Sequence, residues 1–386
     1  VSERDAEDRA GAASPINLAL QGGGAHGAFT WGVLDRLLEE DRFSIEGISG
    51  CSAGAMNAVC LADGFARGGA DGARETLHDF WRAMGQHWWS SPVPRTMWDR
   101  LTGSWSLENS PAFLLFDVAS RFYSPYDLNP LNINPLLETI REQIDFDRVR
   151  ASGIKVFISA TNVIDGSVKV FSGPELSAEA VMASACLPHV FQAVEIDGVP
   201  YWDGGYMGNP SLFPLFYETV TEDILLVQIN PVERREVPRS AREILNRLDE
   251  ITFNASLMSE LRSIDFVSRL VDEGKLDRRE YKRIRLHAVA ADAALNSLST
   301  TSKYNTEWDF LTHLRDLGRA AATDWLESGA DAVGLRPGID LSARLAPGGT
   351  GRGAPEGQMA PHLRETLSRV RTESGWRRNE GRDPES

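Results

Sequence analysis

Three stretches hold residues whose types and spacing could do chemistry. Residues 50–54, GCSAG, place Ser52 in a G-x-S-x-G between a run that reads as a strand and a run that reads as a helix. In that context the pattern describes a nucleophile elbow: the serine sits on a cramped turn, flanked by Cys51 and Ala53, while Gly50 and Gly54 leave room for passing backbone. The helix N-terminus that follows favours developing negative charge. Residues 22–27, GGGAHG, match G-x-G-x-x-G through Gly22, Gly24 and Gly27, which alone suggests a loop that cradles a dinucleotide phosphate. Such a fold wants an acidic residue at the end of its second strand; the nearest, Glu46, lies inside that strand. In YWDGGYMGNP, Asp203 ends a short apolar stretch and is followed by Gly204 and Gly205, which by itself reads as a turn.

A serine hydroxyl needs a base. An α/β-hydrolase would supply Asp or Glu and then His after the serine, with several strands before it. Here one strand and one helix precede Ser52. His287 falls in a predicted strand and His313 on a helix face beside Leu311 and Leu314, so both read as packing or surface positions; His189, after Pro188, is the better histidine candidate. No His, Cys or carboxylate cluster has metal-ligand spacing, so no metal or organic cofactor is expected.

The elements that must position these residues read as an α/β protein with a parallel sheet. Residues 16–21 form a short buried strand, 29–40 a helix with Phe29, Val33, Leu34, Leu37 and Leu38 on one face, and 44–49 a second strand that runs into the elbow and an Ala-rich helix. Further strands are predicted at 154–160, in SVKVFSG, on both sides of Asp197-Gly198, at 223–230 and in YKRIRLHAVA. Helices are expected in SAEAVMASACLP, over 240–282 and over 306–328. Residues 81–135 differ: Trp81, Trp88, Trp89, Trp98 and Trp105, half of the ten tryptophans, lie among prolines with no long period. Two readings stand, an irregular insertion packing its own small core, or a lid facing lipid.

Composition sets outer bounds. With 386 residues, 42% hydrophobic and 25% charged, the chain can bury a sizeable core, and a net charge of -15 argues against a nucleic-acid surface. Three cysteines, Cys51, Cys60 and Cys186, suit neither a disulfide framework nor a metal site. No apolar run approaches a membrane span and no secretory signal is expected, which points to a cytoplasmic protein that meets membranes transiently from the side.

The three stretches, in this order, resemble the patatin-like phospholipase family, with FISATNV, ASACLP and the NP after DGG as supporting pieces. The resemblance spans about 15–230. It implies a three-layer α/β/α fold with a mainly parallel sheet and a helical C-terminal extension. It marks out a catalytic domain 15–230 holding the 81–135 insertion and an extension 231–335, while composition gives a charged segment 1–14 and a flexible tail 336–386. It implies a Ser52–Asp203 dyad, with an oxyanion hole in the loop of Gly22, Gly23, Gly24, Ala25 and Gly27. There, backbone N–H groups around Gly23, Gly24 and Ala25, with Ala53, would point at the charge. The loop departs from the family at His26, where Arg or Lys is expected. The implied activity is hydrolysis of phospholipid or lysophospholipid esters. Alternatives are a short-chain esterase or thioesterase, an inactive membrane-docking protein of the same fold, and a nucleotide-binding protein. A protein activator is left open.

Overall fold

A computed structural model describes residues 13–86, 95–234, 237–296 and 298–345. Trp88, Trp89, most of the charged N-terminal segment and the tail beyond 345 lie outside the described residues.

The sheet begins with β1 (Ser14–Leu20), followed by α1 (Gly27–Leu37), β2 (Phe43–Gly50) and α2 (Ala53–Gln86), which is broken at Gly68 and Gly69. Helices α3 (Pro111–Phe122) and α4 (Pro135–Gln143) lead to the pair β3 (Lys155–Asn162) and β4 (Val168–Ser172), then α5 (Ala178–Ser184), β5 (Val194–Ile196), β6 (Val199–Asp203) and β7 (Asp223–Gln228). The chain closes with α6 (Ala241–Asp272), β8 (Arg285–Ala290) and α7 (Trp308–Ser328). Hydrogen bonding links the strands as β5-β6-β3-β2-β1-β7-β8, with β2 and β6 following one another along one edge of β3 and β4 on its other edge. Strands β3, β2, β1, β7 and β8 run parallel, and the β3–β4, β3–β6 and β5–β6 pairs are antiparallel.

Alternation along the buried strands divides the core in two. Leu18, Leu20, Leu225 and Val227 face the side covered by α1, α2 and α7, whereas Ala19, Ile224 and Leu226 face Leu257, Leu261 and Ile264 of α6. This is the three-layer α/β/α arrangement that the sequence suggests. The region beyond 230 is helical but also closes the sheet: β8 pairs with β7 over six residues. Helix α7 crosses α1 so closely that a Cβ on Gly32 would overlap the Arg315 carbonyl, and one on Gly318 would overlap the Phe29 carbonyl. Residues 338 and 339 also belong to the body, their amides donating to the Leu286 carbonyl. No helix among the described residues is long and apolar enough to cross a membrane.

The described part of residues 81–135 has a buried side and an exposed side. Trp81 lies on α2, buried, stacked on Trp31 and donating to Asn57 Oδ1 at 3.0 Å. Trp105 packs between Phe310 and His313 with the Arg95 guanidinium over its ring, and Phe113 is buried against Tyr304. Leu115, Phe122 and Leu131, by contrast, are 72%, 79% and 81% exposed. The prolines that obscure periodicity here start helices: Pro111 and Pro135 each open one, where a missing N–H costs nothing.

Candidate active site

Ser52 stands between the end of β2 and the start of α2 with φ of 53°. That left-handed conformation costs an L-residue about 1 kcal/mol or more, and three contacts hold it. The Ser52 N–H donates to Ser184 Oγ at 2.8 Å, the Gly54 N–H to the Cys51 carbonyl at 2.7 Å, and the Met56 N–H to the Ser52 carbonyl at 3.1 Å. Both flanking glycines are required: a Cβ on Gly54 would overlap the Leu20 carbonyl, and one on Gly50 would stand 2.6 Å from the Gly54 carbonyl oxygen. Ser52 itself is 8% exposed.

Strand β3 brings the aspartate to the serine. Ile158 pairs with Gly50 of β2, and Ala160 pairs with Asp203 of β6. Since β4 occupies the other edge along this whole stretch, β2 and β6 share one edge, and their ends meet about two residues, or ~7 Å, apart along β3. Segment 184–186 of the ASACLP stretch clamps both: Ser184 holds the Ser52 amide, and the Cys186 carbonyl accepts from the Asp203 N–H at 2.8 Å.

Asp203 is 1% exposed. Its Oδ1 accepts from the Gly205 N–H at 2.7 Å and from the Cys51 thiol at 3.6 Å, while Oδ2 has no hydrogen-bond partner. Burial raises the carboxyl to about 6; the Gly205 amide, the Ser52 hydroxyl, the Cys51 thiol and Lys303 work in the opposite direction. The Ser52 hydroxyl thus favours the carboxylate form, while Oδ2 stays without a hydrogen-bond partner.

The glycine loop packs against the elbow. A Cβ on Gly22 would stand 2.7 Å from the Ser52 Cβ, and one on Gly27 2.5 Å from the Ala53 Cβ. Two N–H groups of the loop, outside the expected donors, have partners within the chain. The Gly22 N–H is committed to Asn209 Oδ1 at 2.6 Å, and the Gly27 N–H turns back to the carbonyls of Gly24 and Ala25. Among the described residues no acceptor takes the N–H of Gly23, Gly24, Ala25 or Ala53. Gly24 adopts φ of 59°, a conformation that a Cβ would strain.

Behind the loop lies a buried amide network that the motifs do not announce. Gln21 Oε1 accepts from the Ile229 and Asn230 amides at 2.9 and 3.0 Å, its Nε2 donates to Asn254 Oδ1 at 3.3 Å, and Asn230 Nδ2 donates to the Gly22 carbonyl at 2.6 Å. A buried polar residue ending an apolar strand, as in DILLVQIN, was the one available signal.

His287 and His313 have other partners. His287 Nε2 pairs with Asp223 Oδ1 at 2.9 Å, at the end of the parallel sheet opposite Ser52, and His313 stacks on Trp105. His189 is exposed. His26 is buried, its Nε2 at 2.7 Å from Ser302 Oγ, and burial followed by the charge of Lys303 lowers it to about 3.

The profile of the family described as patatin-like phospholipase matches residues 18–216, more than half of the chain. The chain belongs to the patatin-like phospholipase family and is an enzyme, a patatin-like lipid acyl hydrolase. No curated protein sequence matches it. Among solved structures it is similar to VipD from Legionella pneumophila, with 15% identity over 78% of this chain and 67% of that one and a TM-score of 0.32. It is also similar to the ExoU–SpcU complex of Pseudomonas aeruginosa, with 18% identity over 95% and 67% and a TM-score of 0.29.

Proposed function

We propose that this enzyme hydrolyses phospholipid or lysophospholipid esters through a Ser52–Asp203 dyad. One observation carries the reading: a serine held at positive φ beside a buried carboxyl with one open oxygen, next to four backbone N–H groups without acceptors. Asp203 Oδ2 takes the Ser52 proton as Oγ bonds to the ester carbonyl carbon. The carbonyl oxygen becomes an oxyanion facing the amides of Gly23, Gly24, Ala25 and Ala53, where pre-oriented dipoles stabilise charge in place of water. The intermediate then collapses, the C–O bond to the alcohol breaks, and Asp203 returns the proton to the leaving oxygen. Water, deprotonated by Asp203, next attacks the acyl carbon; the bond from that carbon to Ser52 Oγ breaks, Asp203 returns the proton to Oγ, and the fatty acid leaves. A carboxyl near 6 is ionised at neutral pH and basic enough to receive a proton.

The lipid reading rests on the outer half of the insertion. Exposed Leu115, Phe122, Leu131 and Ile133 offer apolar surface. The insertion is tied to both flanks of the site: Gln192 Nε2 donates to the Asn129 carbonyl at 2.7 Å, and Asn305 Nδ2 to the Trp105 carbonyl at 3.1 Å. Residues 15–230 supply the catalytic groups and 231–335 brace them. The test is the intact mass after fluorophosphonate treatment. One adduct is expected on wild type, none on Ser52→Ala and slow formation on Asp203→Asn. Folded wild type that stays unlabelled, with and without lipid, would overturn the reading in favour of membrane docking without catalysis.

A further inference from the structure

The glycine loop has no effective cation of its own. His26 is its one ionisable side chain, and it is neutral, buried and turned toward Ser302. A cation instead arrives from the C-terminal region. The turn Thr300–Tyr304 lies so close to the loop that a Cβ on Gly24 would stand 2.5 Å from the Lys303 carbonyl oxygen and 3.4 Å from the Lys303 Cβ. From there the lysine reaches Asn230, donating from Nζ to Oδ1 at 2.9 Å, and Asn230 grips the Gly22 carbonyl. The ammonium therefore lies along residues 22–24, whose 23 and 24 amides have no acceptor among the described residues. Of the two acids that act most on it, buried Glu250 is already paired with Arg234 and Arg247, and Asp249 makes no ion pair with it.

We infer that Lys303 is a positioning residue of the hydrolase site that acts through its charge: it braces the oxyanion loop by way of Asn230 and sets a positive field beside the Gly23, Gly24 and Ala25 amides. The inference rests on the dyad reading given under Proposed function. In a site shielded from water such a field is only weakly screened, so it favours the tetrahedral oxyanion and the ionised base together. Lys303 lies outside the family-matched residues 18–216, so this chain draws the charge of its loop from the segment that α7 and β8 anchor. Burial lowers the lysine from its ordinary range, while Glu250, Asp249 and Asp203 favour its charged form.

The experiment compares Lys303→Met, Lys303→Gln and Lys303→Arg in the full chain. Fluorophosphonate labelling rate is measured with kcat and KM on neutral p-nitrophenyl butyrate and on lysophosphatidylglycerol. Glutamine keeps an N–H donor for Asn230 and discards the charge; arginine keeps both. The expected result is a loss of about tenfold or more in kcat for both esters with Met and with Gln, and recovery of most of it with Arg. The acid limb of kcat/KM should also move upward from about 6 in Met and Gln, because a charge that lowers Asp203 has gone. Ser52, Cys51 and Lys303 act on the Asp203 carboxyl, while Cys186 and Tyr206, which feel it, are pushed well above neutral. Asp249 is also raised by burial and also feels Lys303, so Asp249→Asn is the control: it should leave the limb in place, and a limb that vanishes with it would overturn the assignment to Asp203. Should Gln restore activity as fully as Arg, the role is a hydrogen bond and the inference fails; Gln also keeps the test decisive if Met does not fold. A loss confined to KM on the phosphate-bearing lipid overturns it in favour of headgroup binding. Labelled wild type with unaltered variants sinks this inference alone, whereas folded, unlabelled wild type sinks the dyad reading with it.

Discussion

The elbow with its glycine loop and the insertion at 95–135 use small and apolar residues in opposite ways. In the first region Gly22, Gly50 and Gly54 are packed until a single Cβ would collide with backbone or with Ser52, and the apolar residues around them are buried. In the second, Phe113 and Trp105 reach the core while Phe122 and Leu131 stand in solvent. Close packing fixes atoms to fractions of an ångström, which bond making requires. Exposed apolar surface fixes nothing, and it suits contact with a lipid surface that has no fixed shape. The difference teaches that a closely packed elbow and an exposed apolar surface are carried by separate parts of one chain, joined at residues 192 and 305; under the proposed function the first does the chemistry and the second meets the lipid.

The comparison breaks most visibly at the proposed dyad. Ser52→Ala and Asp203→Asn should each lower kcat by about 10⁴-fold, and the double variant by little more, because the two act as a unit. Stability should move the other way for Asp203→Asn. The folded carboxyl, at about 6, lies above its ordinary 3.8, so the folded state holds the proton more tightly. Stability is lost as pH rises from about 4 to 6, and the full cost is present above that window. Asp203→Asn escapes the cost, and chemical denaturation at pH 7.5 should find it more stable by on the order of 2 kcal/mol, with the gap closing near pH 4. A variant less stable than wild type at both pH values would contradict the buried, strained carboxyl.

Next comes the loop. Gly24→Ala should cost about a hundredfold in kcat, the scale of a lost oxyanion donor, since Gly24 holds φ of 59° against the Lys303 carbonyl. Steady-state kinetics with an unaltered KM would place the loss in the transition state. The pH profile of wild-type kcat/KM should rise tenfold per unit below about 6 and flatten above it, following ionisation of Asp203. A limb near 4 would mean that the carboxyl meets water during turnover.

The smallest effect is expected in the insertion. Phe122→Ser with Leu131→Ser should leave stability within about 0.5 kcal/mol and rates on monomeric esters unchanged. Rates on micelles should fall about three- to tenfold. Equal rates on both forms would assign the apolar face to something other than the lipid surface and favour a short-chain esterase.

Sequence alone determined what depends on neighbours along the chain. The strand and helix around Ser52, the glycines of the elbow and loop, and the strands before Asp203 and Asn230 follow from periodicity and local steric rules, which a short window contains. The helices that start at Pro111 and Pro135 were obscured, because proline punctuates a helix start and a loop with the same residue. Tertiary structure alone decided how residues remote in the chain combine. Ser52 meets Asp203 because β2 and β6 share an edge of β3, Gly22 loses its donor to Asn209, and Lys303 reaches the loop because α7 crosses α1 at Gly32 and Gly318. Those outcomes depend on strand order and helix crossing, which are settled by burial of whole faces and are written in no single segment.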